Sequence, residues 1–321
     1  MNTKKKSFNW AELFSRFGVV AIFALALLAA SIASDRFFTV VNLLSVFVQC
    51  SIVGVLACGM TMLIVSGNTD LSAGSGVALG GVVCGVIMKA NGNWLLAVLA
   101  TFAVLLFTCY LQSLLVAYVG LMPFIVTLAG QLALRGAAYV VSKGAPIIGI
   151  GSIANLSSQK FLGVFSWLIV LTVIMVALSW SLMNYTSFGR YIYATGGNRA
   201  AAIAAGINTK RVIVYAYLFM GVCTALAAIM LAARTNSGQP TAGQAYEFDA
   251  IIAAVLGGTS MSGGVGSVVG SLIGALTVGT INNCMNLVGI SPYYQQIVKG
   301  IIIIIAIVID KKTRDAVMQA D

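Results

Sequence analysis

The sequence predicts an all-α, polytopic membrane protein of about ten transmembrane helices. Of its 321 residues, 60% are hydrophobic and 8% charged, and the mean hydropathy is +1.01. No soluble domain of this length could hide that much apolar surface. The apolar residues also fall into many runs of the ~20 residues that a helix needs to cross a bilayer. Finally, basic residues collect at the ends of these runs, where they orient a membrane protein and meet anionic headgroups. The net charge of +10 is therefore not a nucleic-acid footprint. Six cysteines (Cys50, Cys58, Cys84, Cys109, Cys223, Cys284) are scattered through apolar runs, with no C-x-x-C pair and no histidine. They read as small buried hydrophobes.

Taken in order, the predicted spans are 17–34, 43–66, 71–89, 94–119, 122–142, 161–183, 212–233, 248–262, 264–288 and 293–309. The first follows Lys4–Lys6 and Arg16 and resembles a signal peptide, with small residues Ser31 and Ala33 near a cleavage-like position. Its length and the spans that follow make it a retained first helix. The eighth, 248–262, is short and suits a broken or re-entrant helix, which is tolerated only where protein or water surrounds it. The Gly257–Gly266 stretch GGTSMSGGVG separates it from the ninth.

Charge sets the topology. The N-terminal lysines and Lys311, Lys312 and Arg314 place both termini in the cytoplasm, so the number of spans is even. The basic island Phe188–Gly206, FGRYIYATGGNRAAAIAAG, contains no acid and belongs on the same side. Six spans precede it and four follow. Within it Asn198 can cap a short helix, Arg199–Ala205 can form it and Gly206 can end it. An Ala-rich helix held in the cytoplasm points to a soluble partner.

The two halves echo each other. Gly120-Leu-Met-Pro-Phe124 opens the fifth span and Gly289-Ile-Ser-Pro-Tyr293 the tenth, with proline suited to a first helical turn. Ala78-Leu-Gly-Gly81 follows Asp70 much as Val255-Leu-Gly-Gly258 follows Asp249. With an odd number of spans between them, halves 43–142 and 212–309 would form an inverted repeat. They flank a cytoplasmic segment at 184–211, all within one domain spanning 1–321.

A few polar residues are candidates for function. Asn68, Thr69, Asp70 and Ser72 lie between the second and third spans, as a gate or path element or, more plainly, as a helix cap. Glu247 and Asp249 precede the eighth span, where acids favour a helix N-terminus. With Gln239 and Pro240 they belong to a loop expected to face outward and meet an external partner. Arg135 is costly within a span, at about 2.5–3.5 kcal/mol, and either snorkels or pairs; Lys299 is similar. Gln112, Gln131, Asn282, Asn283 and Asn286 could line a passage for a hydroxyl-rich solute or hydrogen-bond between helices. Gly270 and Gly274 have the G-x-x-x-G spacing of close helix packing.

Several chemistries are missing. There is no G-x-x-x-x-G-K-[ST] phosphate loop, no metal-ligand cluster, no Ser/His pair and no paired carboxylates on one span. No enzyme is expected.

These residues together resemble the membrane permease subunits of monosaccharide ABC importers of the ribose, galactose and xylose type. The marks are Phe188-Gly-Arg-Tyr-Ile-Tyr-Ala-Thr-Gly-Gly-Asn198, Gln239-Pro-Thr-Ala-Gly243, Tyr246-Glu-Phe-Asp249, Gly257-Gly-Thr-Ser-Met-Ser-Gly-Gly264, Tyr293-Tyr-Gln-Gln-Ile-Val-Lys-Gly300 and Thr69-Asp-Leu-Ser72. They cover nearly the full chain, and the overall likeness is greatest to the ribose type. The resemblance implies a type II ABC importer-like permease in a bacterial inner membrane. It implies a second permease copy, an extracytoplasmic sugar-binding protein, and an ATP-binding subunit that holds the ATP and magnesium. It also implies that Gly189, Arg190, Gly196, Gly197, Asn198, Arg199 and Gly206 form the coupling element that docks on that subunit. Arg199 departs from relatives that often carry an acid after Gly-Gly-Asn. A rival reading is an ion-coupled secondary sugar transporter, against which the scarcity of acids inside the predicted spans speaks. A non-transporting scaffold subunit is another.

Overall fold

The computed structural model describes residues 10–318. Lys4–Lys6 lie outside the described residues, as do the side chains of Arg16, Lys311, Lys312 and Arg314. In order, the helices are α1 (Trp10–Ala33), α2 (Val40–Val65), α3 (Ala73–Asn91), α4 (Trp94–Leu114), extended by a π-helical turn at Leu115–Val119, and α5 (Pro123–Ser142). An excursion follows: β1 (Ile147–Ile148), a 3-10 turn (Gly151–Ala154), α6 (Asn155–Ser158), β2 (Lys160–Phe161) and β3 (Phe165–Ser166). Then come α7 (Trp167–Tyr185), α8 (Ser187–Gly197), α9 (Arg199–Ala204), α10 (Thr209–Thr235), β4 (Ser237–Gly238), α11 (Tyr246–Leu256), α12 (Val268–Leu287) and α13 (Pro292–Met318). The two sheets are antiparallel pairs, β1 with β4 and β2 with β3.

Short polar side chains start several of these helices by accepting an otherwise orphan backbone N–H. Thr39 accepts from Asn42, Asn93 from Leu95 and Leu96, and Ser166 from Leu168; Ser267 accepts from Gly270. Pro123 and Pro292 open α5 and α13, each shortly after a left-handed glycine, Gly120 and Gly289. The first sequence echo is thus a conformational echo. The second is not: Gly80 and Gly81 lie inside α3, whereas Gly257 and Gly258 follow the end of α11.

Among the described residues, seven helices are long and apolar enough to cross a bilayer: α2, α3, α4 with its π turn, α5, α7, α10 and α12. Shorter apolar stretches lie in α1 (Val19–Ala33) and α13 (Pro292–Val308). The chain is a polytopic α-helical membrane protein. Two predicted spans need correction. The sixth starts at Trp167, because 161–166 is taken up by the β2–β3 hairpin. The eighth is the 11-residue α11, about 16 Å long against a hydrocarbon core of ~30 Å. It stops where Gly258 turns left-handed at φ +85°.

The centre is built on α2 and α10, which pack on each other. Every residue of α2 from Cys50 to Val65 is buried. Against this pair the neighbours are exchanged: α3 and α4 pack on α10, α11 and α12 on α2, while α5 covers α3 and α13 contacts α11. Large exposed apolar side chains on α4, α5 and α13, such as Phe107, Ile125, Leu132 and Ile304, form the surface available to lipid.

Candidate functional site

The helices α3 and α11 both begin inside the fold. Each is preceded by a non-helical segment, 66–72 and 236–245. The second descends along α3: Gly238 lies against Gly81 and Val82, and Gly243 against Gly74 and Val77. Arg135, on α5, fixes that descent, with Nη1 donating to the carbonyls of Pro240 and Ala242 at 2.7 Å each. Arg135 thus pairs with backbone that no helix or strand satisfies, rather than snorkelling away.

The two helix starts meet near the middle of α5. Ser72 donates from both its N–H and its Oγ to Asp70 Oδ1, at 2.8 and 2.6 Å, and Gln112 Nε2 donates to Ser72 Oγ at 2.9 Å. Tyr217 donates its hydroxyl to the Thr69 carbonyl at 3.0 Å, and Asn68 donates to Ser66. Across from them Gln131 Nε2 donates to Glu247 Oε1 at 2.9 Å, and Lys299 Nζ pairs with Asp249 Oδ2 at 2.8 Å. Gly74 touches the Glu247 carboxylate directly, leaving no room for a Cβ. Asp70, Glu247 and Asp249 are all buried, and each keeps one carboxylate oxygen without a hydrogen-bond partner among the described residues. The positive ends of two helices supply the compensating potential.

This changes three expectations. Pro240, Glu247 and Asp249 are buried, so they form no outward docking surface; Gln239 is half-buried and bonds to Ser237. Expected to face outward, their segment instead folds inward, where Arg135 and the small residues of α3 accept it. Asn282, Asn283 and Asn286 lie far from Asp70, toward the end of α12, where Asn283 and Asn42 exchange amide hydrogen bonds and Asn286 accepts from Gln295. Acids are not scarce in the interior either. Gln112 and Gln131, by contrast, do join Asp70 and Glu247.

At the end of the molecule where α2 finishes, the basic island forms two helices. Asn198 accepts from the Ala201 N–H, α9 runs Arg199–Ala204, and Gly206 is left-handed at φ +82°. Arg199, Ile203 and Gly206 are exposed and Ala202 anchors the helix. The sequence reading missed α8, capped by Thr186 through the Gly189 N–H. Gly189 presses on carbonyls near the end of α7, and the Arg190 guanidinium bonds only to Ser187 among the described residues.

Two Gly-Gly pairs meet here. Gly196 abuts the Val65 carbonyl, Gly197 lies over Gly264, and Gly264 N–H donates to Val65 O at 2.8 Å. Tyr193 donates to Gly266 O at 2.8 Å, and Asp310 accepts from Ser260 and Met261 on the other side. The loop 257–267 is thus gripped by α8, α2 and α13, and it directly follows the end of α11 and runs on into α12. Paired Gly-Gly motifs were the available signal, though nothing in their spacing said that they touch.

No group of three potential metal ligands occurs among the described residues. What the interior offers is a set of hydrogen-bonding groups and carboxylates.

Residues 42–307 match the family described as branched-chain amino acid transport system / permease component. The chain belongs to this family. The permease is 39% identical to the ribose import permease protein of Escherichia coli strain K12, over 96% of its own length and 97% of that protein's. It is 38% identical to the ribose import permease protein of Bacillus subtilis strain 168, over 97% and 98%. The L-arabinose transport system permease protein of Escherichia coli strain K12 is 33% identical, over 97% of the permease and 95% of that protein. No solved structure gives a significant match.

Proposed function

We propose that this chain is the membrane subunit of an ATP-driven importer for a monosaccharide, ribose or a closely related sugar. The likeness to ribose import permeases over nearly the whole of both chains carries the reading. The ATP and magnesium belong to a separate ATP-binding subunit on the cytoplasmic side. A sugar-binding protein delivers the solute from the other side, and a second copy completes the path. Both termini are cytoplasmic.

On this reading α9 is the coupling element. A load on α9 passes through α8 to the Gly196–Gly264 contact, then through loop 257–267 to α11, whose start is tied to α3, α5 and α13. The exchange of neighbours around α2 and α10 supports an inverted repeat, with α3 and α11 as its paired helices that begin inside the fold, an arrangement suited to alternating access. Asp70, Glu247 and Asp249 hold these pieces in register, while sugar selectivity lies largely in the binding protein.

The test is uptake of radiolabelled monosaccharides into proteoliposomes with the ATPase inside and the binding protein outside. ATP-dependent uptake that needs both partners is expected. Uptake driven by an ion gradient without them would overturn the reading in favour of a secondary transporter.

A further inference from the structure

We propose that the permease holds one anionic phospholipid in a lateral groove between α4, α8 and α10. Two adjoining cavities of ≈ 420 and ≈ 750 Å³ share Arg211, Tyr215 and Leu218. One end is polar and aromatic. Arg211 lines both cavities, Tyr118 and Tyr191 are exposed beside it, and Lys210 Nζ sits 5.3 Å from the Tyr118 ring centroid. The other end is apolar, floored by Leu106, Phe219 and Val222. From Arg211 to Val222 α10 advances about 16 Å, roughly the depth of one leaflet.

Charge selects the occupant. Lys210 and Arg211 stand in the first turn of α10, where the helix dipole already disfavours cations. Neither forms an ion pair among the described residues, and no carboxylate lines either cavity. A phosphate placed between them meets two cations and tyrosine hydroxyls, while an acyl chain fills the floor. A soluble anion would leave that floor empty, and a zwitterionic headgroup would bring its own cation to Arg211. Tyrosine and basic residues together at one level are the usual boundary between headgroup and hydrocarbon. The leaflet is the cytoplasmic one on the orientation proposed above; occupancy itself does not depend on it.

The experiment is native mass spectrometry of the full-length chain from nanodiscs with equal phosphatidylglycerol and phosphatidylethanolamine. The wild type should keep phosphatidylglycerol in preference. The double variant Lys210→Ala, Arg211→Ala should retain roughly tenfold less. Leu218→Trp, which fills the groove without touching charge, should also lose the lipid. A photoreactive phosphatidylglycerol should crosslink to peptides carrying Tyr215 or Leu218. Four results would overturn the proposal: equal retention of both lipids, unchanged retention in both variants, displacement by inorganic phosphate, or crosslinks that map elsewhere or to a second copy. Orientation is scored separately, by labelling a cysteine at Ala201 from either side of the membrane, so failure of one reading leaves the other standing.

Discussion

Gly196 has no room for a methyl group, because a Cβ there collides with the Val65 carbonyl. At Gly197 the nearest atom to a Cβ is Gly264 Cα at 3.8 Å, an ordinary contact. Gly196→Ala should therefore cost about 1–3 kcal/mol in overpacking and lower both thermal stability and coupled uptake, whereas Gly197→Ala should leave both near wild type. Thermal unfolding in detergent beside an uptake assay separates the two. Lys299→Met strands the buried Asp249 carboxylate, with an expected cost of about 3–5 kcal/mol. Adding Asp249→Asn should restore most of it, and no rescue in the double variant would show that the pair carries little. The residue types at these positions were legible in the sequence as glycines and stray charges. Their partners were not, since Gly74 with Glu247 and Arg135 with Pro240 are contacts between residues remote in sequence, on which local pattern is silent.

At the scale of elements, α9 was readable because everything that defines it is local: a capping asparagine, an alanine run and a terminating glycine. Asn198→Ala should remove about 1 kcal/mol of capping. It should weaken binding of the ATP-binding subunit without shifting the unfolding of the membrane core, as measured by co-purification and calorimetry side by side. Ile203→Asp, on the exposed face, should weaken binding more and leave the fold intact. If binding survives both changes, α9 is not the coupling element. The helix α11 shows the opposite case. The predicted span runs past Leu256 into Gly257–Ser262, because small uncharged residues do not interrupt a hydropathy run, and the inward course of 236–245 was concealed by polar residues that read as an outward loop. A polar segment is compatible with a protein interior when arginine and helix ends satisfy it, and hydropathy does not record that possibility.

For the whole molecule, the fold class and membrane insertion followed from composition, because the amount of apolar surface admits no other solvent. The neighbour exchange around α2 and α10 was only hinted at, by one proline echo that the fold honours and one glycine echo that it does not. If the two halves work as a pair, cysteines replacing Gln131 and Glu247, whose side chains bond across the halves, should arrest uptake when bridged and release it on reduction, while leaving ATP hydrolysis by the partner measurable. Continued uptake would show that the paired helix starts do not move relative to each other.

The short α11 also bears on how the protein is made. Eleven residues offer the insertion machinery no complete span, and the stretch leading into it becomes stable only against Arg135, Gln131 and Gly74. Those partners belong to the first half of the chain and leave the ribosome more than a hundred residues earlier. The N-terminal half therefore serves as a template on which the second is completed. The last steps of biogenesis are docking events within the bilayer, placed after synthesis of the chain is nearly finished.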